Sequence, residues 1–370
     1  MILKALDKNP SVESIKYKIT ANKSNIDLSK QFSDPVLSYT QNTIDSDQAM
    51  SQKTVSLQQK LPYFGKRDNL KNVALAQEAV LFQSLEQAKV YLVKDIKKQA
   101  YTIWELDEQY KIINEYELLT KQNIELFESY TSTSGNQHMG IMSAELTLSD
   151  LKIQKINLKA KLNEAYARLS YLASFEVKDL EIKLEIKHLD TMQDLQESLK
   201  NNYTLAIKEK EIQKTKAITK VQELDNYPDI NLLTAYSYRE NFDNYFTFGV
   251  GVTLPIYSTQ DYKEEQSRQQ TLEAESLKSD AQKSINSEFQ TAYIKMKAAY
   301  EIYNVVNGEA MPQIQHMFEL TSSSIATGGD LFRYIDILVQ KLKLEQRSIN
   351  AVSSYYKEKA QISALGGAKQ

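Results

Sequence analysis

A short alternating segment that ends in Leu-Pro and runs directly into some sixty residues of helical pattern occurs twice in this chain. The first copy is Thr54 to Arg67, closing on Leu61-Pro62-Tyr63-Phe64-Gly65-Lys66-Arg67. The second is Thr247 to Gln260, closing on Leu254-Pro255-Ile256-Tyr257. Pro62 and Pro255, Pro35 and Pro228, and Asp68 and Asp261 are each 193 residues apart (255 − 62 = 228 − 35 = 261 − 68 = 193). Three markers at one offset predict a duplicated fold. The first structural repeat is read as 1–190, with strands at 35–43 and 53–61, a long helix at 68–129 and a tip at 131–140. The second is read as 191–370, with strands at 229–239 and 245–254, a long helix at 261–321 and a tip at 326–330.

The helix at 68–129 carries Leu70, Val73, Leu81, Leu85, Leu92, Ile96, Ile103, Leu106, Tyr110, Ile113, Ile124 and Phe127 at gaps of three, four and seven, a coiled-coil-like seam. Sixty residues at 1.5 Å each span roughly 90 Å, so this helix needs neighbours as long as itself. The other helical runs are Ile2 to Phe32, Ile141 to Leu172, Met192 to Glu223, and the stretch from the second tip to Ala364. They are half-length pieces. The C-terminal and N-terminal pieces stacked end to end would match the Ile141–Glu223 pair. The alternation of Val177, Leu180, Ile182, Leu184 and Ile186 predicts a small strand or hairpin beside the bundle, and an irregularity is expected near Asn307-Gly308 and Pro312.

In the last strand Phe246, Phe248, Val250, Val252 and Leu254 share one face, and Thr247, Gly249, Gly251 and Thr253 the other. No other strand-rich segment exists to cover the apolar face. The alternation fits a lipid-facing barrel strand, with Tyr236, Tyr238, Phe242, Tyr245 and Tyr257 at strand ends as interfacial aromatics. Open strand edges are not tolerated in lipid, and the smallest such barrels have about eight strands. Three chains pooling four strands each would give twelve strands (4 × 3) and twelve helical staves. There is no window of about eighteen apolar residues, so no transmembrane helix is expected. With no Cys there is no disulfide, thiolate metal site or lipidated cysteine within this chain. The net charge of −3 gives no reason to expect nucleic acid. Met1-Ile2-Leu3-Lys4 enters a helical pattern without a signal-peptide pattern, as in a mature or trimmed chain.

With these elements in place, the sequence resembles the TolC family of outer-membrane efflux proteins over essentially the whole chain. The matching parts are the paired strands with their long helices and the two tips, Tyr130 to Leu146 and Gly328-Gly329-Asp330-Leu331 through Leu338. The run Gln59 to Arg67 is similar to members that serve heavy-metal resistance-nodulation-division pumps. The resemblance implies a homotrimer with a β-barrel in the outer membrane, an α-barrel through the periplasm and a few strands at its equator. It also implies a periplasmic adaptor and an inner-membrane transporter as partners, no cofactor, and export of metal cations or small toxic compounds. Type I protein secretion would use the same architecture.

Three groups of residues follow. Met139, Gly140, Ile141, Met142, Ser143, Gly328, Gly329 and Leu331 are the expected adaptor contacts at the tips. His138 beside the two methionines offers soft metal ligands, though adaptor contact is the stronger reading. Asp330, Arg333 and Asp336 are the candidate pore gate, a ring of carboxylates filtering cations, set against simple helix capping by Asp330. Pro62, Gly65, Lys66, Arg67 and Pro255 mark the barrel-to-helix junction, with the basic pair expected near lipid phosphates. Catalysis finds no support: there is no Cys nucleophile, His-x-x-x-His pair, phosphate-cradling Gly loop or nucleophile elbow. The rival of a different class is a soluble coiled-coil scaffold, which the long seams would satisfy but the strands would not.

Overall fold

A computed structural model describes residues 1–43, 50–130, 135–325 and 330–367. The order of elements is α1 (Ile2–Lys8), α2 (Pro10–Leu28), β1 (Val36–Gln41), β2 (Gln52–Leu61), α3 (Lys66–Tyr130), α4 (Gly135–Ala173), α5 (Met192–Ser198), α6 (Tyr203–Leu224), β3 (Ile230–Arg239), β4 (Tyr245–Val252), α7 (Thr259–Val305), α8 (Met311–Ile325) and α9 (Leu331–Leu365). A 3₁₀ turn, Leu199–Asn201, follows α5, and a π-helical turn, Val306–Ala310, joins α7 to α8. That turn contains the Asn307-Gly308 irregularity expected from sequence, and Pro312 falls in the first turn of α8. With no N–H, Pro312 leaves a carbonyl of the preceding helical turn without its usual donor, in keeping with the irregular winding there.

Contacts group the chain into two compact units, and neither coincides with a sequence repeat. The first comprises Met1–Glu13, Gln87–Asn202 and Ser284–Gln370. Its core is helix against helix: Ile96, Ile103 and Ile113 of α3, Leu169 of α4, Phe289 and Met296 of α7, and Leu338 and Ile362 of α9 are all fully buried. Each such side chain contributes about 1.5–3 kcal/mol by leaving water. Polar rungs fix the register of α3 on α9: Lys98 Nζ to Gln361 Oε1 at 2.8 Å, Gln109 Nε2 to Asn350 Oδ1 at 2.6 Å and Asn123 Nδ2 to Tyr334 Oη at 3.2 Å. Glu105 accepts from Ser353 Oγ and Lys357 Nζ, both at 2.7 Å.

Against α4, the buried Glu117 of α3 accepts from Lys121 at 2.7 Å and from Lys155 at 2.8 Å. Lys121 and Lys155 hold its carboxyl at about 2, against an opposing push from burial. A depressed carboxylate stabilises fully above its unfolded value near 4.5, and that contribution is lost as pH falls toward 2. Part of the acid destabilisation of the helical bundle, followed by far-UV dichroism between those limits, is therefore expected to disappear in Lys155→Met. An unchanged acid profile in that variant would refute it.

The second unit comprises Ser14–Glu86 and Tyr203–Lys283. It holds a four-stranded sheet in the order β1-β2-β3-β4, antiparallel throughout. β2 and β3, far apart in sequence, pair over ten residues from Gln52↔Arg239 to Leu61↔Ile230. The two hairpins thus form one sheet whose outer strands, β1 and β4, each have one edge unpaired among the described residues.

Several sequence expectations are corrected. The N-terminal run is two helices, split at Asn9-Pro10 and ending at Leu28 rather than Phe32. The 192–223 run is interrupted at 199–202, and Gly140 lies inside α4 instead of closing a turn. Residues 175–190 form no strand. Two of their carbonyls accept from side chains of α9 instead, Tyr355 Oη to His188 O at 2.9 Å and Tyr356 Oη to Glu185 O at 2.7 Å. The end-to-end stacking is also exchanged. Asn9 Nδ2 donates to Leu172 O at 3.0 Å, and Asn202 Nδ2 donates to Leu365 O at 2.8 Å. Asn9, just before α2, therefore sits at the end of α4, and Asn202, just before α6, at the end of α9. The cause is the extended segment at 175–190, which carries the chain from the end of α4 onto α9.

These joints lie on the sequence offset (202 − 9 = 365 − 172 = 193). So do all four described residues with positive φ: Gly65 (83°) with Ser258 (53°), and Ser174 (59°) with Gly367 (73°). Gly65→Ala is expected to cost about 1 kcal/mol in denaturant unfolding. The added Cβ would meet only Asn69 Nδ2, at 3.8 Å, so the cost is backbone strain rather than collision. A loss above about 3 kcal/mol would mean a steric role instead.

Candidate functional site

The register sorts the sheet into two chemically distinct faces. Residues directly opposite in antiparallel strands share a face, and alternate residues change face. One face carries Leu37 and Tyr39, Val55 and Leu57, Leu232, Thr234 and Tyr236, then Phe246, Phe248 and Val250, with Gln41, Lys53 and Gln59 toward the strand ends. The other carries Ser38 and Thr40, Gln52, Thr54, Ser56 and Gln58, Asn231, Ala235 and Ser237, then Thr247, Gly249 and Gly251, with Val36 and Leu233 as its larger apolar members. Exposure runs opposite to that of a soluble sheet. Phe248 is 79% exposed and Val250 72%, whereas Ser237 on the polar face is 2% exposed. A polar network covers Ser237: its Oγ lies 3.0 Å from Thr54 Oγ1 and accepts from Gln52 Nε2 at 2.9 Å, and Gln52 also reaches Tyr245 Oη at 3.0 Å.

At the first strand-to-helix junction Pro62 follows β2 and Gly65 turns the chain with left-handed backbone. Gly65 O then accepts from Asn69 N at 2.9 Å, opening α3. Lys66 is buried. Its ammonium meets Asp229 Oδ1 at 2.7 Å, Asp225 Oδ1 at 3.2 Å and Tyr227 O at 3.3 Å. Asp229 also accepts from Tyr63 N at 2.9 Å and pairs with Lys60 at 3.1 Å. Burial alone would raise the Asp229 carboxyl, but Lys66, the Tyr63 N–H and Lys60 together hold it below its ordinary range. Tyr63 and Tyr227 stack at 4.6 Å above the cluster. Arg67 lies 3.7 Å over the Phe32 ring and donates to Lys30 O at 2.8 Å. Both basic residues are thus engaged within the chain. The contacts expected with lipid phosphate give way to internal ones, because a buried ammonium needs carboxylates at hand. At the second junction, after Pro255, Ser258 adopts the left-handed backbone and its carbonyl accepts from Tyr262 N at 3.1 Å. Sequence reading missed Asp225, Tyr227 and Asp229, which lie some 160 residues from Lys66, and nothing local to Lys66 points to them.

Of the predicted tip residues, Gly328 and Gly329 lie outside the described residues. Gly140, Ile141 and Leu331 turn inward: a Cβ on Gly140 would stand 3.2 Å from that of Leu331. Met139 and Met142, 68% and 57% exposed, point outward, and Ser143 is half-buried. Asp330 caps α9, its Oδ1 accepting from Phe332 N at 2.9 Å and Arg333 N at 3.4 Å. Arg333 and Asp336 are exposed on one side of α9; Asp336 accepts from Gln340 at 2.8 Å, and Arg333 makes no ion pair with a described residue.

No family model matches the sequence, and no curated protein matches it. Solved structures do resemble the fold. The open-state MtrE outer membrane channel of Neisseria gonorrhoeae matches with a TM-score of 0.85 at 13% identity, over 100% of this chain and 88% of that one. The CmeC outer membrane channel of Campylobacter jejuni gives 0.82 at 11% identity over 99% and 84%. The outer membrane protein VceC of Vibrio cholerae gives 0.81 at 12% over 100% and 96%. What is shared at these identities is the fold.

Proposed function

We propose that this chain is a TolC-type outer-membrane channel protomer, three copies of which pool their sheets into one twelve-stranded barrel and their helices into a periplasmic duct. The observation that carries this reading is the sheet. Its apolar face is exposed, its polar face is internally hydrogen-bonded, and among the described residues each of its outer strands has one edge unpaired. A face of Phe, Val and Leu with nothing over it suits lipid, and unpaired edges in lipid require neighbouring copies to close them. The duplicated spacing of the junctions and of the asparagine joints supports descent of both halves from one repeat. The duct itself is passive. An inner-membrane transporter acting through a periplasmic adaptor selects the substrate, of the class of metal cations or small toxic compounds. Met139 and Met142 are the adaptor-facing residues of the first tip, and Arg333 and Asp336 line the narrow end, where charge filters ions.

The full chain is expected to need detergent, to behave as a three-chain particle by native mass spectrometry, and to conduct ions when inserted in a planar bilayer. A monodisperse monomer in plain buffer would overturn the reading.

A further inference from the structure

We propose that the cleft where α3, α4 and α9 meet binds an elongated organic dianion, with an oxyanion group at each end and an apolar stem between. The cleft has a volume of about 670 Å³, within the range of small-molecule sites. Every residue that lines it belongs to the first compact unit of the chain. Its floor is apolar, formed by Leu106 of α3 with Ala165 and Leu172 of α4. Gln99 Nε2 crosses that floor and donates to Ala165 O at 3.0 Å.

Its walls are cationic. Lys98, Lys161, Arg168 and Lys357 line it, against Asp95 and Glu164. These charges are not matched in pairs. Lys357 is answered by Glu105 at 2.7 Å, and Asp95 is taken by Lys94 at 3.3 Å. Lys98, Lys161 and Arg168 make no ion pair with a described residue, which leaves three cations facing one carboxylate, Glu164. Lys98 shows the need most clearly. It is half-buried, and its ammonium donates to a neutral amide, Gln361 Oε1, at 2.8 Å. Burial pushes this ammonium below its ordinary value, and Glu358 and Asp95 offset that only in part. A partly desolvated ammonium with no carboxylate beside it favours the arrival of an anion.

Spacing decides the shape of the ligand. Lys161 and Arg168 are seven residues apart on one stripe of α4, two turns or roughly 10 Å. Both are exposed. The Arg168 guanidinium offers a planar fork to a carboxylate or phosphate, and Lys161 offers a point charge. A single small anion reaches one of them. A chain molecule with a charge at each end reaches both, its stem lying across Ala165.

Isothermal titration of the full chain in detergent tests this. Suberate, a long dicarboxylate, is expected to bind with a Kd below about 1 mM, and succinate or inorganic phosphate at least about tenfold more weakly, since each fills one end at a time. Arg168→Gln and Lys161→Gln, at exposed positions and with native far-UV dichroism, are each expected to weaken suberate binding about tenfold. Glu164→Gln removes the competing carboxylate and is expected to strengthen it about threefold, a gain that a merely structural role for these residues would not produce. No binding of suberate, equal affinity for succinate or phosphate, or variants that leave suberate binding unchanged would each overturn the inference. The cleft lies within one chain, so the titration is read separately from the three-chain particle seen by native mass spectrometry, and either result can fail without the other.

Discussion

Lys66→Met is expected to destabilise the protein by about 3 kcal/mol, the loss seen when one partner of a buried ion pair is removed and the other stays behind. Asp229 would remain with a side chain 14% exposed and only the Tyr63 N–H and Lys60, itself half exposed, to answer it. The Tyr227 carbonyl would lose its ammonium donor as well. The cost arises from the stranded carboxylate, not from the missing lysine, so Lys66→Met/Asp229→Asn is expected to recover more than half of it. The comparison is made by denaturant unfolding of the detergent-solubilised chain. Arg67→Met, whose guanidinium is half-buried over Phe32 and bonded to a single carbonyl, serves as the comparator, with an expected loss of about 1 kcal/mol. Equal losses for Lys66 and Arg67, or a double variant no better than the single, would show that the cluster does not anchor the junction.

Phe248→Arg and Thr247→Arg, adjacent in β4, are expected to behave oppositely. Phe248 is 79% exposed on the apolar face, and an arginine on a lipid-facing strand costs about 2–4 kcal/mol near the middle of the bilayer. Thr247 lies on the polar face, which in the proposed channel would line the lumen, so a charge there is expected to alter conduction instead of stability. The first variant should fail to insert or unfold early on heating in detergent, and the second should insert normally and change the ratio of cation to anion permeability. Both tolerated equally would mean that the apolar face meets no lipid. A soluble scaffold would show a third pattern, Phe248→Arg raising solubility.

Much of the fold was readable from order and spacing. The long seams at three, four and seven located α3 and α7–α8 to within a few residues, and β2, β3 and β4 fell where alternation put them. The π-helical turn fell where Asn307, Gly308 and Pro312 crowd together. Helical period and strand alternation are written along the chain, so local reading finds them. The same reading failed at residues 175–190, where alternation was genuine but the backbone is held by Tyr355 and Tyr356, and at Asn9-Pro10, where one apparent helix is two. The two asparagine joints stood at the same 193-residue offset as the prolines and were open to that arithmetic.

The Leu-Pro junction marks the boundary most clearly. Its place between strand and helix, and its recurrence, followed from residue order alone, because a proline ending an alternating run before a long apolar seam permits little else. The roles of Lys66 and Arg67 did not. An ammonium beside a membrane edge and an ammonium buried between two carboxylates look identical in one dimension. Only the pairing of β2 with β3 brings Asp225, Tyr227 and Asp229 to Lys66 across some 160 residues. The two faces of the sheet follow the same rule. One apolar face was visible in β4 by itself, but the agreement of all four strands depends on cross-strand register, which hydrogen bonding between distant segments decides.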